Sequence, residues 1–263
     1  MDKQHMFSIS DLNVYHGTTH ALRGINLNVQ QNRFTALVGP NGSGKSTLLG
    51  AMAGNIRPRQ GAVFLDTKDV SSYPRREFAR LVSFLPQRTH TPTGISVREL
   101  LVQGRFPWRN WLGRWSNTDE EAIQRAASLC QVDTLLDRSL SALSGGQLQR
   151  AWIAMTLAQD APIVLLDEPT TYLDVANQLS LLDLLTVLRN AGRTVVAILH
   201  DLNQAARYAD ELVMMRDGHI VAEGESSRVF TDGNIEKVFG VRSRMLADTV
   251  TGDMICIPSA RPT

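Results

Sequence analysis

The sequence predicts an α/β fold built on a parallel sheet, and three observations predict it. Short, near-continuous apolar runs recur along the chain, at residues 34–38, 161–166 and 194–199, which is how strands buried on both faces read. Segments of helical periodicity separate them, such as residues 176–188. Each apolar run stops at a glycine or at polar side chains, where open α/β sheets gather ligands.

Taken in order, the chain opens with two alternating runs, Met6-Phe7-Ser8-Ile9-Ser10 and Ile25-Asn26-Leu27-Asn28-Val29. These are strands with one face exposed, the start of an antiparallel β subdomain. Between them, Tyr15 is either a packing aromatic or a ring that stacks on a purine. His16 and His20 lie four apart with Gly17 between and no third ligand, so no metal site is expected there.

The run at 34–38 leads into Gly39-Pro40-Asn41-Gly42-Ser43-Gly44-Lys45-Ser46-Thr47, which fits G-x-x-x-x-G-K-[ST]. Such a stretch cradles phosphates. The glycines let the backbone approach closely and take φ values that a Cβ forbids, so that successive N–H groups form an anion nest. Lys45 adds a point charge for the β- and γ-phosphates, and the Ser46 hydroxyl can ligate Mg²⁺. Residues 46–52 read as the first turns of a helix, whose positive end adds to phosphate binding.

Pro58 and Gly61 punctuate the chain before a strand at 62–65, a short helix at 75–80 and a buried strand at 81–85 that ends in Pro86-Gln87. After Gln87 the β-branched runs vanish. Residues 88–160 are expected to be a helical subdomain inserted into an α/β core of 1–87 and 161–263. Within it Thr118-Asp119-Glu120-Glu121 matches a capping box before a helix. A longer helix opens at Ser144-Gly145-Gly146-Gln147, small residues that make a second anion nest at a helix N-terminus. Three of the four tryptophans fall in the Arg-rich stretch 105–115, which is either local packing or an anchor for a partner.

The core resumes with Ala161-Pro162-Ile163-Val164-Leu165-Leu166, ending in Asp167-Glu168-Pro169. The strand at 194–199 ends in His200-Asp201. A hairpin follows, 211–215 and 219–221, turning at Asp217-Gly218. Small helices and a strand at 254–258 finish the chain. In a parallel sheet the ends carrying Gln87, Asp167-Glu168 and His200 share one side, so these groups can meet around one nucleotide. Asp167 fits the carboxylate behind Mg²⁺ in a P-loop NTPase. Glu168 can orient and deprotonate an attacking water. His200 either senses the γ-phosphate or caps its strand. Residues 144–147 do not belong beside the chain's own phosphate loop; a two-fold dimer would supply them to a neighbour.

Composition excludes several classes. The 263 residues are 43% hydrophobic and 20% charged with net charge +1, so no overall field selects nucleic acid or an anionic membrane. Cys130 and Cys256 form no framework and read as buried fillers. Residues 1–6 lack the apolar core of a signal peptide, and no run reaches the roughly 18 apolar residues of a membrane span. A cytoplasmic protein is expected, linked to a membrane only through a partner.

With these motifs in this order, the chain resembles the ATP-binding subunits of ABC transporters over nearly its whole length. Gly39–Ser46 resembles the Walker A loop, Gln87 the Q-loop, residues 143–147 the signature motif, residues 163–168 the Walker B strand, Leu173-Asp174 the end of the D-loop and His200 the switch histidine. The resemblance implies a P-loop NTPase (RecA-like) core, ATP and Mg²⁺ as cofactors, Ser46, Gln87 and Asp167 around the metal, and Glu168, His200 and Gln87 in catalysis. It also implies adenine on Tyr15, and a head-to-tail homodimer whose ATP lies between residues 39–47 of one copy and 144–147 of the other. Partners implied are integral-membrane permease subunits and, indirectly, a substrate-binding protein, with the chain peripheral on the cytoplasmic face; no nucleic acid is expected. Tyr172 departs from the family's usual small residue. Gly104-Arg105-Phe106-Pro107, residues 200–210 and Val238-Phe239-Gly240-Val241 resemble importers of ferric siderophores, with haem and cobalamin importers sharing much of this. A soluble ABC ATPase acting on nucleic acid or ribosomes is the reading from another class. The segment between Gln87 and Leu143 is too short for the chromosome type's coiled coil, and ribosome types usually carry two cassettes.

Overall fold

The computed structural model describes residues 5–87, 92–109 and 115–260. The strands are β1 (His5–His16), β2 (Thr19–Gln30), β3 (Phe34–Val38), β4 (Gln60–Leu65), β5 (Lys68–Asp69), β6 (Val82–Leu85), β7 (Ile163–Leu166), β8 (Thr194–Ile198), β9 (Glu211–Arg216), β10 (His219–Glu225), β11 (Arg242–Ala247) and β12 (Met254–Ala260). The helices are α1 (Lys45–Met52), α2 (Arg75–Leu81), α3 (Val97–Gly104), α4 (Asn117–Leu129), α5 (Gly145–Ala158), α6 (Val175–Asn190), α7 (Leu202–Tyr208), α8 (Ser226–Val229) and α9 (Asp232–Phe239). The chain divides into two compact units, residues 1–72 with 194–263, and residues 73–193.

In the first unit β3 is the centre. It runs parallel to β8 on one side and β9 on the other, with Ala36 opposite both Ala197 and Leu212. Every residue of β3 and β8 is buried, which explains their unbroken apolar character. β10 folds back antiparallel on β9. A separate antiparallel sheet runs β2-β1-β4-β5. Phe7, Ile9, Leu12 and Val14 of β1 are its buried side chains, and the shift from 7-9 to 12-14 reflects a register irregularity between Ile9 and Leu12. The hairpin β11–β12 closes the unit; β11 is a strand that the sequence reading missed.

In the second unit β6 and β7 pair in parallel, Val82 opposite Ile163 and Leu85 opposite Leu166. The pairing extends one step further, the Asp167 amide donating to the Leu85 carbonyl (2.9 Å). The same unit holds α2 to α6. The cap of α4 differs from the sequence expectation. It is Ser116, not Thr118, with Asp119 as the returning carboxylate. Asp119 is nearly buried because it also receives the Arg105 Nε at 2.9 Å, so the box forms where its carboxylate has a second partner. Trp108 is tethered though exposed, its indole N–H donating to the Gln159 carbonyl (2.6 Å) and its ring lying 5.0 Å from the Arg80 guanidinium. Phe106 is 72% exposed. Residues 110–114 of the Trp/Arg-rich stretch lie outside the described residues. Cys130 and Cys256 are both buried. Among the described residues no helix is long and apolar enough to cross a membrane.

Candidate nucleotide site

The first unit shapes the phosphate loop between β3 and α1. Gly39, Gly42 and Gly44 have φ of +154°, +80° and +102°. Two of them are also compelled by close approach. A Cβ on Gly39 would sit 2.1 Å from the Met215 carbonyl oxygen, and one on Gly44 2.8 Å from that of Ala21. The loop is therefore pressed against the β9–β10 hairpin and β2. The Gly218 amide, in that hairpin's turn, donates to the Ser43 carbonyl (3.1 Å), and the Arg23 amide donates to the Gly218 carbonyl (3.0 Å). Lys45, only 5% exposed, turns its ammonium over the loop and donates to the Gly39 and Pro40 carbonyls at 2.8 and 2.9 Å and to Ser43 Oγ at 3.4 Å. Its charge is thus held against the loop's own backbone. Ser46 and Thr47 follow in the first turn of α1, while Pro40 and Asn41 form the loop's outer limb, Asn41 exposed.

Tyr15 lies near the end of β1 and is partly exposed. Its ring stacks on His20, centroids 4.1 Å apart and planes 9° from parallel, with the Arg59 guanidinium 5.1 Å from its centroid. His20 Nε2 lies 3.1 Å from Asn13 Oδ1, and His16 Nε2 lies 3.1 Å from Thr47 Oγ1. The two histidines therefore serve an aromatic stack and the phosphate-loop helix, and the hand of each was invisible in a spacing of four. His200 follows β8, whose direction is fixed past its end by the Leu199 amide donating to the Leu37 carbonyl (3.2 Å).

The second unit carries the acidic strand end. Asp167 is 5% exposed at the tip of β7. Glu168 adopts φ +54°, a left-handed conformation uncommon outside glycine. Its Oε2 accepts from the Gln87 amide at 2.6 Å and from Thr171 Oγ1 at 3.4 Å. Gln87, beyond β6, and Glu168, beyond β7, are brought together because their strands are neighbours. At the start of α5, Ser144 Oγ accepts from the Gln147 amide (3.3 Å) and Gln147 Oε1 accepts from the Ser144 amide (3.1 Å). That reciprocal cap leaves Gly145 and Gly146 as the first helical residues, whose N–H groups have no partner within a helix. Leu173 lies 3.5 Å from the Cβ position of Gly146. Between that leucine and the Walker B carboxylates, Tyr172 projects, 82% exposed at φ +68°.

A glycine-compelled anion nest with a buried lysine, and a paired carboxylate motif at the end of a buried parallel strand, define a P-loop nucleotide-binding protein. Residues 22–171 match the family described as ABC transporter. The ferric enterobactin transport ATP-binding protein FepC of Escherichia coli (strain K12) is 43% identical over 95% of this chain and 93% of its own. The petrobactin import ATP-binding protein FpuD of Bacillus anthracis is 42% identical over 95% of this chain and 92% of its own. Among solved structures, the dimeric bacterial ABC transporter cassette MJ0796 superposes with a TM-score of 0.76 at 26% identity, over 84% of this chain and 99% of that one. The chain belongs to the ABC transporter family, as an ATP-binding ATPase cassette.

Proposed function

We propose that the chain is the ATP-hydrolysing subunit of an importer that brings a ferric siderophore across the cell membrane, peripheral on the cytoplasmic face and coupled to integral-membrane permease subunits. A substrate-binding protein acts on it indirectly. The observation that carries the ATPase reading is the phosphate loop, where three glycines with positive φ close around the buried Lys45 ammonium. The cargo is supported by the relatives named for ferric enterobactin and petrobactin, each similar over nearly the whole chain.

In this reading the loop's N–H groups and Lys45 hold the β- and γ-phosphates, and Tyr15 faces the adenine. The Ser46 hydroxyl, the Gln87 amide oxygen and the Asp167 carboxylate are oxygen donors of the kind a hard divalent cation takes, and Mg²⁺ is assigned to them. Bound Mg²⁺ would offset phosphate charge. Glu168 accepts a proton from the attacking water as that oxygen bonds to the γ-phosphorus and the bond to the bridging oxygen breaks, releasing ADP and phosphate. His200 contacts the γ-phosphate. Residues 144–147 complete the nucleotide site of a second copy in a head-to-tail homodimer, and the dimeric state of the solved cassette supports this.

Glu168→Gln tests the base. The variant should bind ATP, hold the closed dimer and show no turnover; hydrolysis at the wild-type rate would overturn the role. For the cargo, the reconstituted complex should hydrolyse ATP faster with a binding protein loaded with ferric siderophore. Stimulation by haem or cobalamin and not by ferric siderophores would replace it.

A further inference from the structure

The C-terminal hairpin takes no part in the reading above, yet it is bonded to the element that begins two residues after His200. Helix α7 is seven residues long, too short to hold itself together in water, so its position depends on what it is tied to. Asp201 caps it, accepting from the Asn203 and Gln204 amides at 2.8 and 3.0 Å. Farther along, Ser226 Oγ donates to the Ala206 carbonyl at 2.7 Å. Arg207 reaches Asp253 at 3.6 Å, an exposed pair that contributes little.

A further tie is of another kind. The Asn203 side-chain amide meets the backbone of Cys256 in β12 at both ends. Nδ2 donates to the Cys256 carbonyl at 3.2 Å, and Oδ1 accepts from its amide at 2.7 Å. In an antiparallel strand both polar groups of one residue point to the same edge. The Asn203 amide thus stands in for the next strand along that edge, opposite β11. Cys256 is buried, so these two groups have little access to water as a substitute, and the bond resists opening.

We infer that Asn203 is a positioning residue for ATP hydrolysis, through which the β11–β12 hairpin holds the segment carrying His200. That segment is tied on both sides. Before it, the Leu199 amide is bonded to the Leu37 carbonyl at the end of the strand that leads into the phosphate loop. After it comes α7, which Asn203 ties to β12 beside the bond from Ser226. With the Asn203 tie released, the imidazole keeps its chemistry but its backbone is held less closely. The inference rests on the ATPase reading and on His200's part in it.

The test uses the full chain and its own ATPase activity. Asn203→Ala should lower kcat about tenfold, less than the roughly hundredfold that a full 1 Å misplacement can cost, with KM for ATP within about twofold. Asn203→Asp, nearly isosteric, keeps the acceptor for the Cys256 amide and loses the donor; it should fall between, and it provides the readout if the alanine variant does not fold. In a His200→Ala background, followed by slow release of labelled phosphate, Asn203→Ala should change the residual rate less than about twofold. An equal loss in both backgrounds would make Asn203 a structural tie only and overturn the inference. So would unchanged kcat in the two Asn203 variants of an active enzyme. A wild-type chain that hydrolyses no ATP would remove the ATPase reading, and the inference with it.

Discussion

Replacing Arg105 by leucine should destabilise the second unit by about 4 kcal/mol. Its side chain and that of Asp119 are 6% and 5% exposed, and Nε donates to Asp119 Oδ1 at 2.9 Å. Removing one member of a buried pair costs about 3–5 kcal/mol because a buried charge is left behind. The low end applies, since Ser116 continues to donate to the carboxylate through its amide (3.1 Å) and hydroxyl (2.6 Å). Loss of the bond from Arg105 to the Ala158 carbonyl (2.8 Å) adds about 1 kcal/mol. Unfolding by urea, or a fall in Tm of about 10 °C, would report it. The pH dependence gives a sharper test. Burial pushes the Asp119 carboxyl up, but hydrogen bonds from Ser116 and from the Arg105 guanidinium outweigh it and hold the group below the usual carboxylate range. In the native protein its contribution is therefore present above the unfolded value, about 4, and is lost as pH falls through the lower folded value. Without Arg105 the burial acts with less opposition and the folded value should rise. The deficit of Arg105→Leu should then shrink as pH falls through the variant's raised folded value toward the lower native one, and a second change, Asp119→Asn, should recover about 2 kcal/mol at pH 7. A loss under about 1 kcal/mol, or a deficit constant with pH, would refute the reasoning.

Gly39→Ala places a Cβ 2.1 Å from the Met215 carbonyl oxygen, and the resulting displacement of the loop, costing about 1–3 kcal/mol, should weaken ATP in a fluorescent-nucleotide titration; unchanged affinity would show that the loop yields freely. Ser144→Ala removes the acceptor for the Gln147 amide and should lower stability by about 1 kcal/mol. Combined with Glu168→Gln, it should also abolish the ATP-dependent dimer on gel filtration, and a dimer that persists would contradict the proposed role of residues 144–147. Burial pushes the Cys130 thiol up to about 12, so in a Cys256→Ser variant the native protein should resist Ellman's reagent at pH 8 and react once unfolded in urea.

What was legible in the sequence was local. The phosphate loop, the strands of continuous apolar character and the helix that opens at Ser144 each follow from a few adjacent residues. The features that escaped depend on partners far along the chain. A spacing of four cannot show that His16 lies beside Thr47 while His20 stacks on Tyr15. Propensity favours Thr118 as readily as Ser116; the choice is settled by Arg105, which needs the Asp119 carboxylate. Nothing in Asp-Glu-Pro foretells that Glu168 takes a left-handed φ with its carboxylate on Gln87, a contact made by the register of two neighbouring strands. Strand β11, polar and short, exists because β12 pairs with it.

The contact between Gly39 and Met215, and the bond from Gly218 to Ser43, also bear on how the protein is made. The loop leaves the ribosome well before the β9–β10 hairpin, one of the two elements pressed against it. Pairings of such long range form late, so the newborn chain carries its ATP motif without this wall until the hairpin has emerged. A fragment ending at residue 210 contains every Walker residue and lacks Met215 and Gly218; it should bind no nucleotide until the missing hairpin has been added.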